Sequence, residues 1–195
     1  MGLTVHYRGR IREYALVDEL ITEVENFAKN LSWRYHLLTP GINTPLKPVN
    51  QEDPEPLPSV KGIILSPDKC EPIIFTFLDD GRICSPFFPP MEAEDGLPYM
   101  WTKTQYAGIE VHRSFVNLLR QLNEKYFSEL VVVDEGQYWE TNDEEILQSQ
   151  FQQYNNIIEL MADALENTDA IVEESVEPGE FDIETIYIDK TKESA

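Results

Sequence analysis

Apolar residues recur at helical spacing in three separate windows of this chain, and the runs between those windows alternate or cluster their apolar residues as strands do. That interleaving constrains the fold more than any other feature, because a helical stripe and a strand face each need a partner surface to bury against. The first window places Val17, Leu20, Ile21, Val24, Phe27, Ala28 and Leu31 on one face, with Asp18, Glu19, Glu23 and Glu25 turned outward. The second follows Gly108 with Val111, Phe115, Leu118, Leu119, Leu122 and Tyr126. The third carries Leu147, Phe151, Tyr154, Ile158, Met161 and Leu165. Ahead of it, Thr141 and Glu144 read as a capping box, in which a hydroxyl and a carboxylate satisfy the first exposed amides.

Strand patterns fill the intervals. Leu3 to Arg8 reads as a strand ending in a turn at Gly9, and Trp33 to Leu38 as a half-buried strand. Val60 to Leu65 and Pro72 to Leu78 follow, the second with an unbroken apolar run that predicts a central place in a sheet. Asp79, Asp80 and Gly81 predict a tight turn into Arg82 to Ser85. Trp101 to Tyr106 and Leu130 to Val133 complete the set, with a turn at Asp134 to Gly136 and with Tyr138 and Trp139 on its return arm. Together these predict an α+β fold, a mixed or mostly antiparallel sheet packed by three main helices.

Tyr7, Gly9, Val17, Leu20 and Phe27 match Tyr106, Gly108, Val116, Leu119 and Tyr126 at one constant offset, which suggests a strand-helix-strand pseudo-repeat. Residues 1–167 are expected to form one domain, with proline-rich loops at 40–58 and 86–98. Residues 168–195 form an acidic C-terminal segment in which Phe181 to Ile188 is either an edge strand or part of a flexible tail.

Charge separates the classes of partner. Half of the 36 carboxylates lie between Lys125 and Lys190, where no Lys, Arg or His occurs, while the other half is set against all 15 Lys and Arg. The formal charge of -21 therefore belongs mainly to one third of the chain. A field of that sign repels phosphate backbones and anionic headgroups and attracts basic protein surfaces, so no nucleic acid and no membrane partner is expected. Two cysteines, Cys70 and Cys84, make a poor disulfide framework and suit a reducing, cytoplasmic location.

Catalytic signatures are sparse. No two glycines stand two apart, which removes the dinucleotide fingerprint and the nucleophile elbow, and no phosphate-binding loop occurs. His6, His36 and His112 lack metal-ligand spacing, and a pairing of Cys84 with a histidine has no local support, so no metal and no cofactor is expected. Carboxylates gather at Asp79 and Asp80, at Glu92, Glu94 and Asp95, and around Tyr138 and Trp139. The last group, Asp134, Glu135, Tyr138, Trp139, Glu140 and Asp143, is the candidate site, because acids and aromatics on one turn suit a polar ligand or a basic partner.

The leading expectation is a non-enzymatic binding protein, of an inhibitor or immunity type, whose acidic region from about Asp134 to Glu184 engages a basic protein. The alternative is a carboxylate-based enzyme or a small-ligand or divalent-ion protein using the Asp134 to Asp143 region. A third is a self-associating domain, a homodimer joined edge to edge through Phe181 to Ile188.

Overall fold

The computed structural model describes residues 3–39 and 58–175, with side chains described through residue 164. Nearly all of the expected loop at 40–58, and the Phe181 to Ile188 segment, lie outside the described residues. The elements in chain order are β1 (Thr4–Ile11), α1 (Val17–Asn30), β2 (Arg34–Leu38), β3 (Lys61–Ser66), β4 (Ile73–Phe77), β5 (Met100–Lys103), α2 (Ile109–Tyr126), β6 (Phe127–Asp134), the one-turn α3 (Tyr138–Thr141) and α4 (Glu144–Ser175). The chain forms two compact units, Met1–Tyr154 and Asn155–Ala195, and the strands, α1 to α3 and the start of α4 belong to the first.

The fold class is α+β, built on two antiparallel three-stranded sheets of order β5-β1-β6 and β2-β3-β4. β1 is the centre of the first sheet because its odd residues Val5, Tyr7 and Ile11 are fully buried while both of its edges pair. The turn expected at Gly9 does not form; β1 runs straight through to Ile11. Gly9 serves close approach instead, since a Cβ there would stand 2.7 Å from the Glu129 carbonyl oxygen and 2.9 Å from Leu130. In the second sheet β3 holds the centre, and β4 is its outer strand although all five of its residues are buried.

β4 reaches that burial because the first sheet closes its outer edge. The Tyr7 hydroxyl accepts the Ile74 amide at 3.0 Å and donates to the Ile74 carbonyl at 3.1 Å. Further along, the Cys84 amide donates to the Thr76 carbonyl at 2.9 Å and the Thr102 hydroxyl to the Pro72 carbonyl at 3.0 Å. Arg82 and Ile83, on the hairpin's return, bridge to Arg10 and Phe77 respectively and so tie both sheets together. Burial pushes the Tyr7 phenol up to about 12, so it stays an un-ionised donor.

The core gathers under the sheets. Phe115 of α2 meets Tyr7 edge-on at 5.6 Å and Phe75 at 6.4 Å, and Phe77 lies 6.1 Å from Phe127. Most of the two helical stripes fall as their spacing predicts: Val17, Leu20, Val24 and Ala28 of α1, and Phe115, Leu118, Leu119, Leu122 and Tyr126 of α2, are buried, Ile21, Phe27 and Val111 are half-buried, and Leu31, just past the end of α1, is exposed. The succession β1-α1-β2 and β5-α2-β6 repeats a strand-helix-strand order. At the constant offset of the matched residues the elements fall out of step, since Val17 opens α1 while Val116 lies in the middle of α2.

Three local expectations change. β5 stops at Lys103 rather than Tyr106, because Ala107 donates to the Thr104 carbonyl and turns the chain into α2. Tyr138 and Trp139 stand on α3, not on a returning strand. The N-cap of α4 is Asp143, whose Oδ1 accepts the amides of Glu145 at 2.8 Å and Ile146 at 3.3 Å, while the Thr141 hydroxyl donates back to the Gln137 carbonyl. Asp143→Ala should therefore destabilise the protein by about 1 kcal/mol, against a smaller loss for Glu144→Ala. Urea unfolding of the two variants checks the order.

Candidate functional site

The candidate residues lie where β6 ends, α3 turns and α4 begins, and the turn is organised by one carboxylate. Asp134, the last residue of β6, is 4% exposed. Its Oδ1 accepts the Gly136 amide at 2.8 Å, and its Oδ2 accepts the amides of Tyr138 at 2.9 Å and Trp139 at 3.0 Å. The last two are the free amides of the first two residues of α3 and the first belongs to the turn before it, so the Asp134 side chain closes the turn in the manner of a helix cap.

The remaining valence of Asp134 goes to His112, which sequence reading left without a role. His112 sits on the buried face of α2, fully enclosed, with Nε2 3.1 Å from Asp134 Oδ1 and 3.2 Å from Oδ2. Its Nδ1 lies 2.7 Å from the Thr104 hydroxyl oxygen, which also stands 3.3 Å from the Leu3 carbonyl. With a neutral ring, Nε2–H donates to Asp134 and the Thr104 hydroxyl donates to Nδ1. With a charged ring, Nδ1–H donates to Thr104 and that hydroxyl turns to Leu3. Either state leaves no polar atom of the Thr104, His112 and Asp134 side chains unpaired. Phe151 of α4 closes the ring edge-on at 5.7 Å. Burial alone would raise the Asp134 pKa, but the bonds from His112 and the backbone amides outweigh it and hold the carboxyl below its ordinary value.

Thr104, His112 and Asp134 form a hydroxyl-imidazole-carboxylate chain, the donor order of a hydrolase triad. Its enclosure argues for a different job: all three residues are completely or almost completely buried, and the threonine oxygen points at backbone rather than at an open cleft. The chain clips the β5–α2 turn, α2 and the β6–α3 turn to one another.

Arg120, also unforeseen, locks α3 from the other side. It donates to the carbonyls of Tyr138 and Trp139 and to the Asn142 side chain, and its guanidinium stands 5.0 Å from the Tyr138 ring centre and 5.8 Å from that of Trp139. The αL conformations at Gln137 and Asn142, with φ of 59° and 53°, bracket the single helical turn.

The six candidate residues thus divide. Asp134 and Tyr138 are buried and Trp139 is half-buried. Glu135 accepts the Thr4 amide at 2.8 Å and stands 3.7 Å from His6, and Asp143 caps α4. Glu140 is exposed on α3. Only Asp134, Tyr138 and Trp139 are drawn into one hydrogen-bonded cluster.

Three members of the other carboxylate groups form ion pairs. Asp80 pairs with Arg82 at 2.7 Å, Glu92 joins the same guanidinium, and Asp95 pairs with Arg8 at 2.7 Å, fastening the 86–98 loop to β1. Phe88 stacks on Trp101 at 5.3 Å in the same place. Burial pushes the Cys84 thiol up to about 11 and the Cys70 thiol up to about 12, which keeps both from acting as thiolates. Among the described residues no group of His, Cys, Asp and Glu is placed to hold a metal ion, and no helix is long and apolar enough to cross a membrane. No family model, curated protein or solved structure matches the chain.

Proposed function

We propose that the protein is a non-enzymatic binding protein whose acidic region, from about Asp134 to Glu184, engages a basic protein partner. The supporting observation is how the carboxylates are used. Several of those within the first unit are engaged by other groups of the fold: Glu129 with Arg10, Asp134 with His112 and the turn amides, Glu135 with the Thr4 amide, Asp143 with the α4 amides and Glu144 with Arg113. From Asn155 to Asp189 the sequence supplies no Lys, Arg or His to balance Glu159, Glu166, Asp169, Glu173 and Glu174. Charge left unbalanced on one segment steers an oppositely charged partner to it and makes association sensitive to salt. Two free thiols, one of them buried, agree with the reducing, cytoplasmic setting such a partner would share.

The full chain immobilised in native lysate should retain proteins of basic isoelectric point at low salt and release them at high salt. A variant with Glu159, Glu166, Glu173 and Glu174 all changed to Gln should lose most of that retention. Recovery of a set no more basic than the lysate itself, or retention that the variant leaves intact, would refute the reading.

A further inference from the structure

α4 carries its apolar residues at alternating intervals of four and three: Leu147, Phe151, Tyr154, Ile158, Met161 and, in sequence, Leu165. That is the spacing of a coiled-coil seam, in which each position inserts between residues of a facing helix. In the first unit the seam is used, since Leu147 is fully enclosed and Phe151 is 5% exposed. In the second unit Ile158 is 36% exposed, Met161 50% and the neighbouring Leu160 68%, and every residue from Ile158 to Ala164 is open to solvent. A helix of this kind in water has no basic residue with which to form stabilising i,i+4 pairs, and its apolar face gains nothing until something packs on it.

Resting on the acidic-partner reading above, we infer that the Ile158 and Met161 face of α4 docks an amphipathic helix of the basic partner, one with an apolar stripe flanked by Lys or Arg. Charge selects this occupant over a second copy of the chain. Two α4 helices brought together would set Glu159 against its own counterpart, on a stretch with no Lys, Arg or His between Lys125 and Lys190. A partner with Lys or Arg beside its stripe meets the opposite situation. Ala162 and Ala164 border the seam with small side chains, so long basic stems can lie across the helix and carry their charges to Glu159 and its acidic neighbours.

The probe is a synthetic helix with Leu at seam positions and Lys beside them, titrated into the full chain by fluorescence anisotropy. Its comparison is a peptide of identical composition in scrambled order. The patterned peptide should bind at least about tenfold more tightly than the scrambled one, and I158D/M161D should remove that preference while near-ultraviolet circular dichroism of the first unit stays unchanged. Glu159→Lys should weaken binding and flatten its salt dependence. Equal binding of the two peptides overturns the docking face but leaves an acidic capture surface standing. Failure of both peptides overturns the two readings together. A chain dimer in analytical ultracentrifugation that I158D/M161D dissolves gives the face to a second copy and overturns the inference.

Discussion

Asp134→Ala is expected to lower the free energy of unfolding by about 3–5 kcal/mol, because several buried donors lose one acceptor at once and each stranded donor costs about 1–3 kcal/mol. The size follows from what the carboxylate satisfies. Its loss strands three backbone amides, those of Gly136, Tyr138 and Trp139, together with the His112 Nε2 that it held at 3.1 Å. Asp134→Asn keeps the shape and one acceptor, so it should cost less, and the difference between the two reports the charge. The same carboxylate sets a pH dependence. Its folded pKa is depressed, so its contribution is complete above the unfolded value of about 3.9 and is lost as pH falls through the lower, folded value. Acid titration of the wild type should therefore show a loss of stability below about pH 4 that Asp134→Asn lacks. Equal acid sensitivity in both proteins would contradict the assignment.

The second large effect is expected at Gly62. This residue lies on β3 opposite Thr76, where a Cβ would stand 2.0 Å from the Phe75 carbonyl oxygen and 2.5 Å from the Thr76 Cα. Both obstacles are backbone of the neighbouring strand, so no rotamer change can relieve them. Gly62→Ala must push β4 away from β3 and with it the enclosed Phe75 and Phe77. The loss should reach or exceed about 3 kcal/mol, the upper end of ordinary overpacking. Chemical denaturation, or failure to recover soluble protein, registers it. A variant within about 0.5 kcal/mol of wild type would show that the strands can separate freely at this point.

What the sequence reveals of this fold is its local grammar. The stripes of α1, α2 and the first turns of α4 declare themselves because burial on one helical face leaves a period in the chain. The hairpin at Asp79 to Gly81 declares itself through turn chemistry, and the acidic third through simple absence of bases. The misread places are those where a distant element decides. Gly9 looks like a turn residue until Glu129 and Leu130 are seen pressing on it from β6. Thr141 looks like the cap until Asp143 takes the amides of Glu145 and Ile146, leaving the Thr141 hydroxyl oxygen only the Asp143 amide.

The centre of the candidate site was less legible than its rim. His112 lies 22 residues from Asp134 and Arg120 lies 18 from Tyr138, and no local pattern joins either pair. A faint signal existed: His112 falls one residue after Val111 on a helix face otherwise filled by Phe115, Leu118 and Leu122, so a polar ring there required a buried partner. Carboxylates beside aromatics marked the right turn, but spacing alone could not say that Asp134 and Tyr138 would face inward.

The Tyr7 hydroxyl bears on how this protein avoids its neighbours. Strands that end a sheet carry an unspent ladder on which foreign chains can template themselves. At Ile74 that ladder is occupied by a phenol in place of a strand, held by one oxygen that both gives and receives. Tyr7 belongs to the middle strand of the opposite sheet, so β4 cannot be stripped for misassembly without first dislodging the centre of the molecule. Resistance to aggregation at this rim is thus tied to global unfolding rather than to local fraying, and a concentrated solution should stay clear until the whole first unit melts.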